Sequence, residues 1–212
     1  MRRRVCFAPK KPAQHHSSAL SAKVELRRWL VEQLGGKPRV LDCFCAKGTL
    51  WERAYESTPR YLGLDLRQFD DVRRTIVCDS RRFLRHVDVR LEDFDLFDLD
   101  AFGSPLEHLA VICNRIRVER GRRVGFCLTD GTGMPVAMNS TSRGLLAYVG
   151  IAVHRRARVQ LDYRHEIFGM ALRKALETAG LRQIAARRAE RASGVHSKGR
   201  EIVYLALVAE GE

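Results

Sequence analysis

Short apolar stretches alternate with helical patterns along the middle of this 212-residue chain, and this alternation restricts the fold more than any other feature. The strand-like stretches occupy residues 39–44, 60–65, 75–78, 94–99 and 123–129. Strands that alternate with helices form a parallel sheet, because each crossover returns the chain to the same edge of the sheet. The sequence therefore predicts an α/β fold with a mostly parallel sheet.

The N-terminal end differs from this alternating middle. Residues 1–19 carry several arginines and lysines, two prolines and two adjacent histidines, which is typical of a basic, flexible arm. A helical pattern over residues 21–34 follows, and Gly35 and Gly36 end it. We predict that residues 20–212 form a single domain behind the arm.

The C-terminal end predicts a helix over residues 164–179 and then a β-hairpin, made of two extended stretches at 181–190 and 200–209. Residues 131–160 have a weak pattern that is rich at first in Gly, Met, Ser, Thr and Asn. We interpret this segment as a substrate-side insertion of loops with a short helix.

Charge is the informative part of the composition, with 38 Lys+Arg against 25 Asp+Glu and a formal net charge of +13. Such an excess favours a polyanionic partner, bound through phosphate contacts. The sequence contains no apolar run of the roughly 20 residues that a membrane span needs. The N-terminus also lacks the apolar core of a signal peptide. We therefore predict a cytoplasmic protein that binds nucleic acid and no membrane.

The cysteines and histidines do not predict a metal site. No C-x-x-C pair occurs, and the histidines are scattered. Cys43 and Cys45 are two residues apart in an apolar stretch, so we expect them to share one face of a strand as reduced, buried side chains. The basic segments at 154–158 and 182–191 are either phosphate-binding or solvated faces.

A glycine-containing loop, from Asp42 to Gly48, follows the first predicted strand and precedes a helix that Thr49 and Glu52 would cap. Glycine lets a backbone turn tightly and approach a ligand closely. A dinucleotide fingerprint needs glycines where this chain has Ala46, Gly48 and Trp51, and Trp51 would block the close approach of the helix. The loop therefore disfavours NAD as the ligand.

Aspartates stand at three successive strand ends: Asp42, Asp65 and Asp79. Ligands of open α/β sheets bind at the carboxyl ends of the strands, so these carboxylates are candidates for cofactor contacts. Each could instead cap a strand or the next helix. Their repetition at consecutive strands favours the functional interpretation.

The fourth strand runs into a loop from Asp98 to Pro105, with the sequence D-L-D-A-F-G-S-P, in which Ser104 and Glu107 have the spacing of a second capping box. An aromatic amine is a poor nucleophile, because its lone pair is delocalised into the ring. The Asp100 carboxylate and the Ala101 carbonyl can accept its two N–H bonds, and Asp100 can take the proton. Phe102 can stack on an aromatic base that carries such an amine. The alternative is ordinary turn chemistry before a helix.

Two loops resemble motifs of known enzymes. Asp42 to Gly48 resembles motif I of AdoMet-dependent methyltransferases, D-x-F-x-G-x-G, with Ala46 in place of the first glycine. Asp98 to Pro105 is similar to the D-x-D-P-F-G-S-P loop of the tRNA guanine-N2 dimethyltransferase family, with Ala101 in place of proline. The segment that ends at Asp130 is similar to that family's T-x-T-D. The resemblance covers residues 35–135, and that family has a further C-terminal domain.

The resemblance implies a Rossmann-like class I methyltransferase fold, with a mostly parallel seven-stranded sheet and a C-terminal β-hairpin. It implies S-adenosyl-L-methionine as cofactor, with Asp42 near its methionine amine, Asp65 at its ribose and Asp79 at its adenine. Further cofactor-binding positions are Phe44, Ala46, Gly48 and Asp98; catalytic positions are Asp100, Ala101 and Phe102; and substrate-binding positions are Gly103, Ser104 and Asp130.

The predicted reaction is methyl transfer to an exocyclic amine of a nucleic-acid base, with guanine N2 of a tRNA-like RNA as the first choice. A DNA adenine-N6 or cytosine-N4 methyltransferase uses the same loop chemistry, but only residues 131–160 are available for target recognition. A protein-glutamine or small-molecule amine acceptor is disfavoured by the charge. The remaining alternative is a non-catalytic, basic nucleic-acid-binding module of the same fold.

Overall fold

A computed structural model describes residues 17–70, 72–101, 103–131, 143–151, 163–191 and 202–212. Seven strands form one sheet in the order β3-β2-β1-β4-β5-β7-β6. Neighbouring strands from β3 to β5 are parallel, whereas β7 is antiparallel to both β5 and β6. This is the predicted Rossmann-like sheet, and the β6–β7 hairpin at its edge is confirmed as well.

The elements follow the predicted alternation. The strands are β1 Arg39–Asp42, β2 Arg60–Asp65, β3 Thr75–Val77, β4 Leu96–Leu99, β5 Arg123–Asp130, β6 Leu181–Arg191 and β7 Ile202–Gly211. The helices are α1 Ser17–Gln33, α2 Ser80–His86, α3 Leu106–Arg115, α4 Arg143–Tyr148 and α5 Arg164–Thr178, with a π-helical segment Trp51–Tyr55 and a 3-10 turn Leu91–Asp93.

Two hydrophobic clusters cover the two faces of the sheet. On one face, Phe97, Phe126 and other strand residues pack against α2, α3 and α5. On the other face, Val40, Leu96 and Val208 pack against Trp29 and Leu30 of α1. Both faces of β1, β2, β4 and β5 are therefore largely buried, which explains why these strands read as nearly continuous apolar runs.

The two predicted capping boxes differ from the structure. In the segment Trp51–Tyr55, Leu50 is the N-cap residue and offers no side-chain cap; the amide of Glu52 donates instead to the Gly48 carbonyl over 2.9 Å. Ser104 does accept from the Leu106 amide over 3.3 Å. Glu107 does not complete that box, because its carboxylate pairs with arginines of α2.

Two other expectations are corrected. Cys43 and Cys45 do not share one face of a strand, because β1 ends at Asp42 and the two side chains enter the clusters on opposite faces of the sheet. Both are free thiols, as expected. The helix α2 was not expected from the sequence, since arginines interrupt its short apolar pattern.

Some predictions lie outside the described residues: most of the basic arm, most of the 131–160 insertion, the basic segment at 154–158, and Phe102. Within the insertion, the short helix α4 is present. None of the helices in the described part of the chain is long and apolar enough to cross a membrane.

Candidate functional site at the carboxyl edge of the sheet

The predicted site residues that the structure describes lie at the carboxyl ends of the parallel strands. Asp42 of β1 lies opposite Asp98 of β4 in the parallel register, and the Cys43 amide donates to the Asp98 carbonyl over 2.9 Å. The Cys45 amide donates to the Leu64 carbonyl of β2 over 3.1 Å. The loop after β1 therefore lies between the ends of β2 and β4, where open α/β sheets bind ligands.

Two residues of the glycine loop have a left-handed backbone conformation. Gly48 has a φ of +88°, and a Cβ there would come within 2.8 Å of the Arg73 guanidinium carbon. Ala46, where motif I has glycine, has a φ of 42°, which costs a residue with a side chain of the order of 1 kcal/mol. Ala46 thus adopts a conformation that favours glycine, the residue that motif I has at this position.

Arg73, which the sequence did not single out, braces this loop from β3's side. Its guanidinium donates to the carbonyls of Cys45 and Ala46, over 2.8 Å each. Arg73 is buried, and it occupies the space that opens because Gly48 has no side chain. Two charge-assisted bonds from one planar group fix the direction of both loop carbonyls.

Asp42 lies inside the protein, immediately before the loop. Its carboxylate accepts from the Phe44 amide over 3.0 Å and from the Tyr61 hydroxyl over 2.8 Å. Burial, together with the nearby Asp98 charge, raises the pKa of Asp42 to about 7. Asp42 therefore anchors the loop, and its charge changes near neutral pH.

Asp65 and Asp79 are only partly buried at the ends of β2 and β3. Asp65 accepts from the Ala46 amide over 3.0 Å, so it fastens the loop to β2. Asp79 caps α2 by accepting from the amides of Arg81 and Arg82, and these bonds lower its pKa. Asp79 thus has the capping role that the alternative interpretation expected, whereas Asp65 holds the loop that follows β1. Both side chains remain partly exposed.

Phe44 of the loop after β1 is partly buried and packs against the core. Its ring meets the His108 ring edge-on, with the centroids 4.9 Å apart. Ser80 of α2 is 2.9 Å from Nε2 of His108. Burial is the main reason why the pKa of His108 falls to about 4. A neutral histidine therefore joins α2 and α3 beneath the loop.

The Asp98 carboxylate, at a position that the resemblance assigned to cofactor binding, is enclosed by Arg27 and Tyr55. The Arg27 guanidinium donates to its two oxygens over 2.6 and 2.7 Å, and the Tyr55 hydroxyl donates over 2.8 Å. Arg27 is 1% exposed and Asp98 is 0% exposed. Burial lowers the pKa of Arg27, but the neighbouring acidic groups, with Asp98 the strongest of them, together raise it above its ordinary value, so the guanidinium stays charged.

Asp100 lies just beyond β4 and is held by α1. Lys23 Nζ is 2.7 Å from both carboxylate oxygens, and Arg27 Nη2 is 3.8 Å from one of them. Burial raises the pKa of Asp100, but the charges of Arg27 and Lys23 outweigh burial and hold the pKa below its ordinary value. The side chain of Asp100 is 13% exposed, and the Ala101 amide donates to the Leu99 carbonyl over 2.9 Å.

The predicted substrate-binding residues also come together. The Gly131 amide, directly after Asp130, donates to the Gly103 carbonyl over 2.8 Å, which ties the end of β5 to the loop after β4. Ser104 lies two residues before α3 and accepts from the Leu106 amide, as described above. Asp130 is buried, and its Oδ2 atom lies 3.8 Å from Nε of Arg164 at the start of α5. Its carboxylate is therefore buried against the start of α5.

Comparison with known proteins identifies the fold. The sequence matches no protein-family model, and it matches no curated protein. In structure, 91% of the chain aligns with Trm1 from Pyrococcus horikoshii bound to S-adenosyl-L-methionine, at 22% identity and a TM-score of 0.53. TYW2 from M. jannaschii with AdoMet gives 11% identity, 90% coverage and 0.53. For the N-methyltransferase NodS from Bradyrhizobium japonicum with S-adenosyl-l-homocysteine, the sequence identity is 12%, 97% of this chain aligns, and the TM-score is 0.52.

The chain has the class I methyltransferase fold. It covers 55% of the length of Trm1, 77% of that of TYW2 and 94% of that of NodS. The three proteins were each solved with AdoMet or its demethylated product, and the methyltransferase fold explains why the acids and the loop meet at one edge.

The sequence did contain a signal for the basic residues that the predictions missed. Lys23, Leu26, Arg27 and Leu30 follow the i, i+3, i+4, i+7 spacing of one helix face. Two cations within an apolar stripe require buried acidic partners, because an unpaired buried charge is very costly. Those partners are Asp98 and Asp100.

No cluster of three His, Cys, Asp or Glu residues in the described ranges has the geometry to hold a metal ion. The charged side chains described at the candidate site are aspartates, arginines and one lysine.

Proposed function

We propose that this protein is an AdoMet-dependent methyltransferase that acts on an exocyclic amine of a nucleic-acid base, with guanine N2 of RNA as the substrate. The observation that carries the proposal is the placement of Asp100. Asp100 lies just beyond β4, next to the strand end from which the glycine loop leaves β1. An acceptor carboxylate is thereby set beside a candidate cofactor loop.

The residues fit the cofactor. Asp65 and Asp79 are partly exposed carboxylates at adjacent strand ends, suited to ribose hydroxyls and an adenine amine. The positive φ values of Ala46 and Gly48 let the loop turn tightly beside these acids. When bound, AdoMet supplies an electrophilic methyl group. We assign Asp42 to a position near the positively charged methionine amine of AdoMet.

The target amine would be held by Asp100 and Ala101. The carboxylate and the Ala101 carbonyl accept the two N–H bonds, which pulls the nitrogen towards tetrahedral geometry and exposes its lone pair. Because the pKa of Asp100 is held below its ordinary value, it is ionised and can accept a hydrogen bond throughout the neutral range. Orientation in line with the methyl donor supplies much of the remaining acceleration. We assign stacking on the base to Phe102.

A polyanionic substrate is supported by the net charge of +13 and by exposed arginines on the edge strand β6. RNA is preferred to DNA because the loop from Asp98 to Pro105 is similar to that of tRNA guanine-N2 dimethyltransferases. A base in a loop is also cheaper to reach than one stacked in a duplex. A cytoplasmic location is part of the same proposal.

The proposal is tested first by calorimetry with AdoMet, and then by transfer of tritiated methyl groups to pooled tRNA, rRNA and DNA. Digestion of the labelled pool to nucleosides identifies the base. We expect AdoMet binding and label in RNA as N2-methylguanosine. Label in DNA as N6-methyladenine or N4-methylcytosine would replace the substrate, and AdoMet binding without label would exclude a nucleic-acid acceptor.

Asp100→Asn tests the catalytic assignment. The amide cannot take up the proton and presents one acceptor instead of two, so we expect kcat to fall by about 10²–10⁴-fold. AdoMet affinity should stay nearly unchanged. Asp88→Asn, at an exposed aspartate, is the matched control and should retain activity. Full activity of Asp100→Asn would contradict the assignment of Asp100.

A further inference from the structure

We propose that Lys23 of α1 is a positioning residue, which holds the Asp100 carboxylate in the orientation that accepts the target amine. This inference rests on the proposed function, and it assigns a role to a helix that lies outside both motifs. Lys23 stands 77 positions before Asp100 in the chain, so no local sequence pattern joins them.

The contact between the two residues is close and two-pronged. Lys23 Nζ lies 2.7 Å from Oδ1 and 2.7 Å from Oδ2 of Asp100. The side chains are 16% and 13% exposed, so water screens the pair only weakly. A donor shared equally by both oxygens fixes the rotation of the carboxylate, which a single bond would not do.

The fold repeats this contact one helical turn further along α1. Arg27, four residues after Lys23, donates to both oxygens of Asp98, two residues before Asp100. Residues four apart share a helix face, and residues two apart share a strand face. The helix therefore grips the end of β4 at two points: the Arg27 contact is wholly buried, and the Lys23 contact is at the accessible end.

Tyr204 of β7 fixes the position of the ammonium itself. Lys23 Nζ lies 5.5 Å from the centroid of the Tyr204 ring, which is within the range of a cation–π contact. Tyr204 is buried in the same cluster as α1. The flexible lysine is thus held from both sides, by the ring and by the carboxylate.

The charged and titratable groups around Asp100 come from every neighbouring element. They are Lys23 and Arg27 of α1, Asp98 of β4, Cys127 and Thr129 of β5, and Tyr204 behind Lys23. Burial raises the pKa of Asp100, whereas Arg27, Lys23 and Thr129 lower it. Removing the Lys23 charge leaves Arg27 as the one cation on Asp100 among the described contacts, at the longer distance of 3.8 Å.

A titration of the Asp100 side chain tests this inference without any substrate. The carboxyl carbon is followed by NMR in ¹³C-aspartate-labelled protein, and its signal is assigned from Asp100→Asn. In Lys23→Met we expect the pKa of Asp100 to rise by about one unit or more. Lys23→Arg should return most of that shift, and Lys37→Met, at an exposed lysine after α1, should leave the pKa unchanged.

Kinetics supply the second readout. For Lys23→Met we expect kcat to fall by roughly tenfold or more with a small change in KM, and the acid limb of the kcat profile to move to higher pH. Thermal unfolding of each variant checks that it is folded, and Lys23→Gln serves as a second neutral variant. Unchanged Asp100 titration and an unchanged acid limb in a folded neutral variant would overturn the role of Lys23.

The two proposals fail in different ways. Absence of methyl transfer by the wild-type protein would contradict the proposed function, while the NMR titration would still decide whether Lys23 controls Asp100. Transfer by the wild-type protein with an identical pH profile in Lys23→Met would contradict the role of Lys23 and leave the proposed function intact.

Discussion

At the scale of single residues, Ala46 is the non-glycine position with a positive φ among the described residues. A side chain in this left-handed conformation crowds the following carbonyl, and only glycine adopts it without cost. The loop tolerates alanine because Arg73 and Asp65 hold the backbone of Ala46 from two directions.

Ala46→Gly should therefore not destabilise the protein. Relief of strain of about 1 kcal/mol offsets the greater freedom that glycine gives the unfolded chain, so the free energy of unfolding should stay equal or rise slightly. Ala110→Gly within α3 is the control and should lower it by about 0.5–1 kcal/mol. Urea unfolding measures both, and a loss in Ala46→Gly equal to that in Ala110→Gly would contradict the strain.

Two buried groups should give opposite pH dependences of stability. Asp42 has a folded pKa of about 7, above its ordinary 3.8, so its contribution to stability falls as pH rises from about 4 to 7. His108 has a folded pKa of about 4, below its ordinary 6.5, so its contribution falls as pH drops from 6.5 to 4. Between pH 4 and 6.5 the two effects oppose each other.

Asp42→Asn should make the pH dependence of stability that comes from His108 visible. The amide can still accept from the Phe44 amide, but it does not titrate, so the variant should lose stability more steeply than the wild-type protein as pH falls from 6.5 to 4. Above pH 7 its free energy of unfolding should gain relative to the wild-type protein. Denaturant unfolding at several pH values measures this, with Asp88→Asn as control; parallel curves for Asp42→Asn and the wild-type protein would contradict the raised pKa.

At the scale of elements, α1 connects the site to the rest of the molecule. It packs its Trp29 and Leu30 against one face of the sheet, and its basic residues hold the end of β4. Tyr55 of the π-helical segment completes the contact with Asp98. The helix before the first motif is therefore part of the candidate site.

Arg27→Met should cost about 3–5 kcal/mol of unfolding free energy, because it leaves the buried Asp98 charge without its guanidinium. Asp98→Asn combined with Arg27→Met should cost less than the sum of the two single changes, since the amide removes the stranded charge. Arg28→Met, at an exposed neighbour, should change it by about 0.5 kcal/mol at most. Equal, additive losses in a denaturant series would exclude coupling.

At the scale of the whole molecule, the excess of positive charge should govern the binding of nucleic acid. Each phosphate contact releases counterions, so the Kd for tRNA should rise by roughly a hundredfold or more between 50 and 200 mM salt. The affinity for AdoMet should change by about threefold at most over the same range. Fluorescence anisotropy with labelled tRNA measures the slope, and a Kd for tRNA that is independent of salt would contradict phosphate-dominated binding.

The sequence by itself determined the order of strands and helices, the hairpin and the two loops at the sheet edge. Each of these depends on contacts within a few residues: apolar periodicity in Arg123–Asp130, or glycine at position 48. The same local rules failed at the Thr49 cap, where the Gly48 carbonyl replaces a side chain, and at α2, whose arginines hide its apolar face.

Only the tertiary structure decided which charges face each other. Asp98 and Asp100 are alike in the sequence, yet one is closed off by Arg27 and Tyr55 while the other remains accessible beside Lys23. The pKa of Asp42, the brace from Arg73 and the pairing of α1 with β4 likewise depend on groups far apart in the chain. Burial and charge act through space, so the protonation and orientation of the candidate site exist only once the sheet has brought its strand ends together.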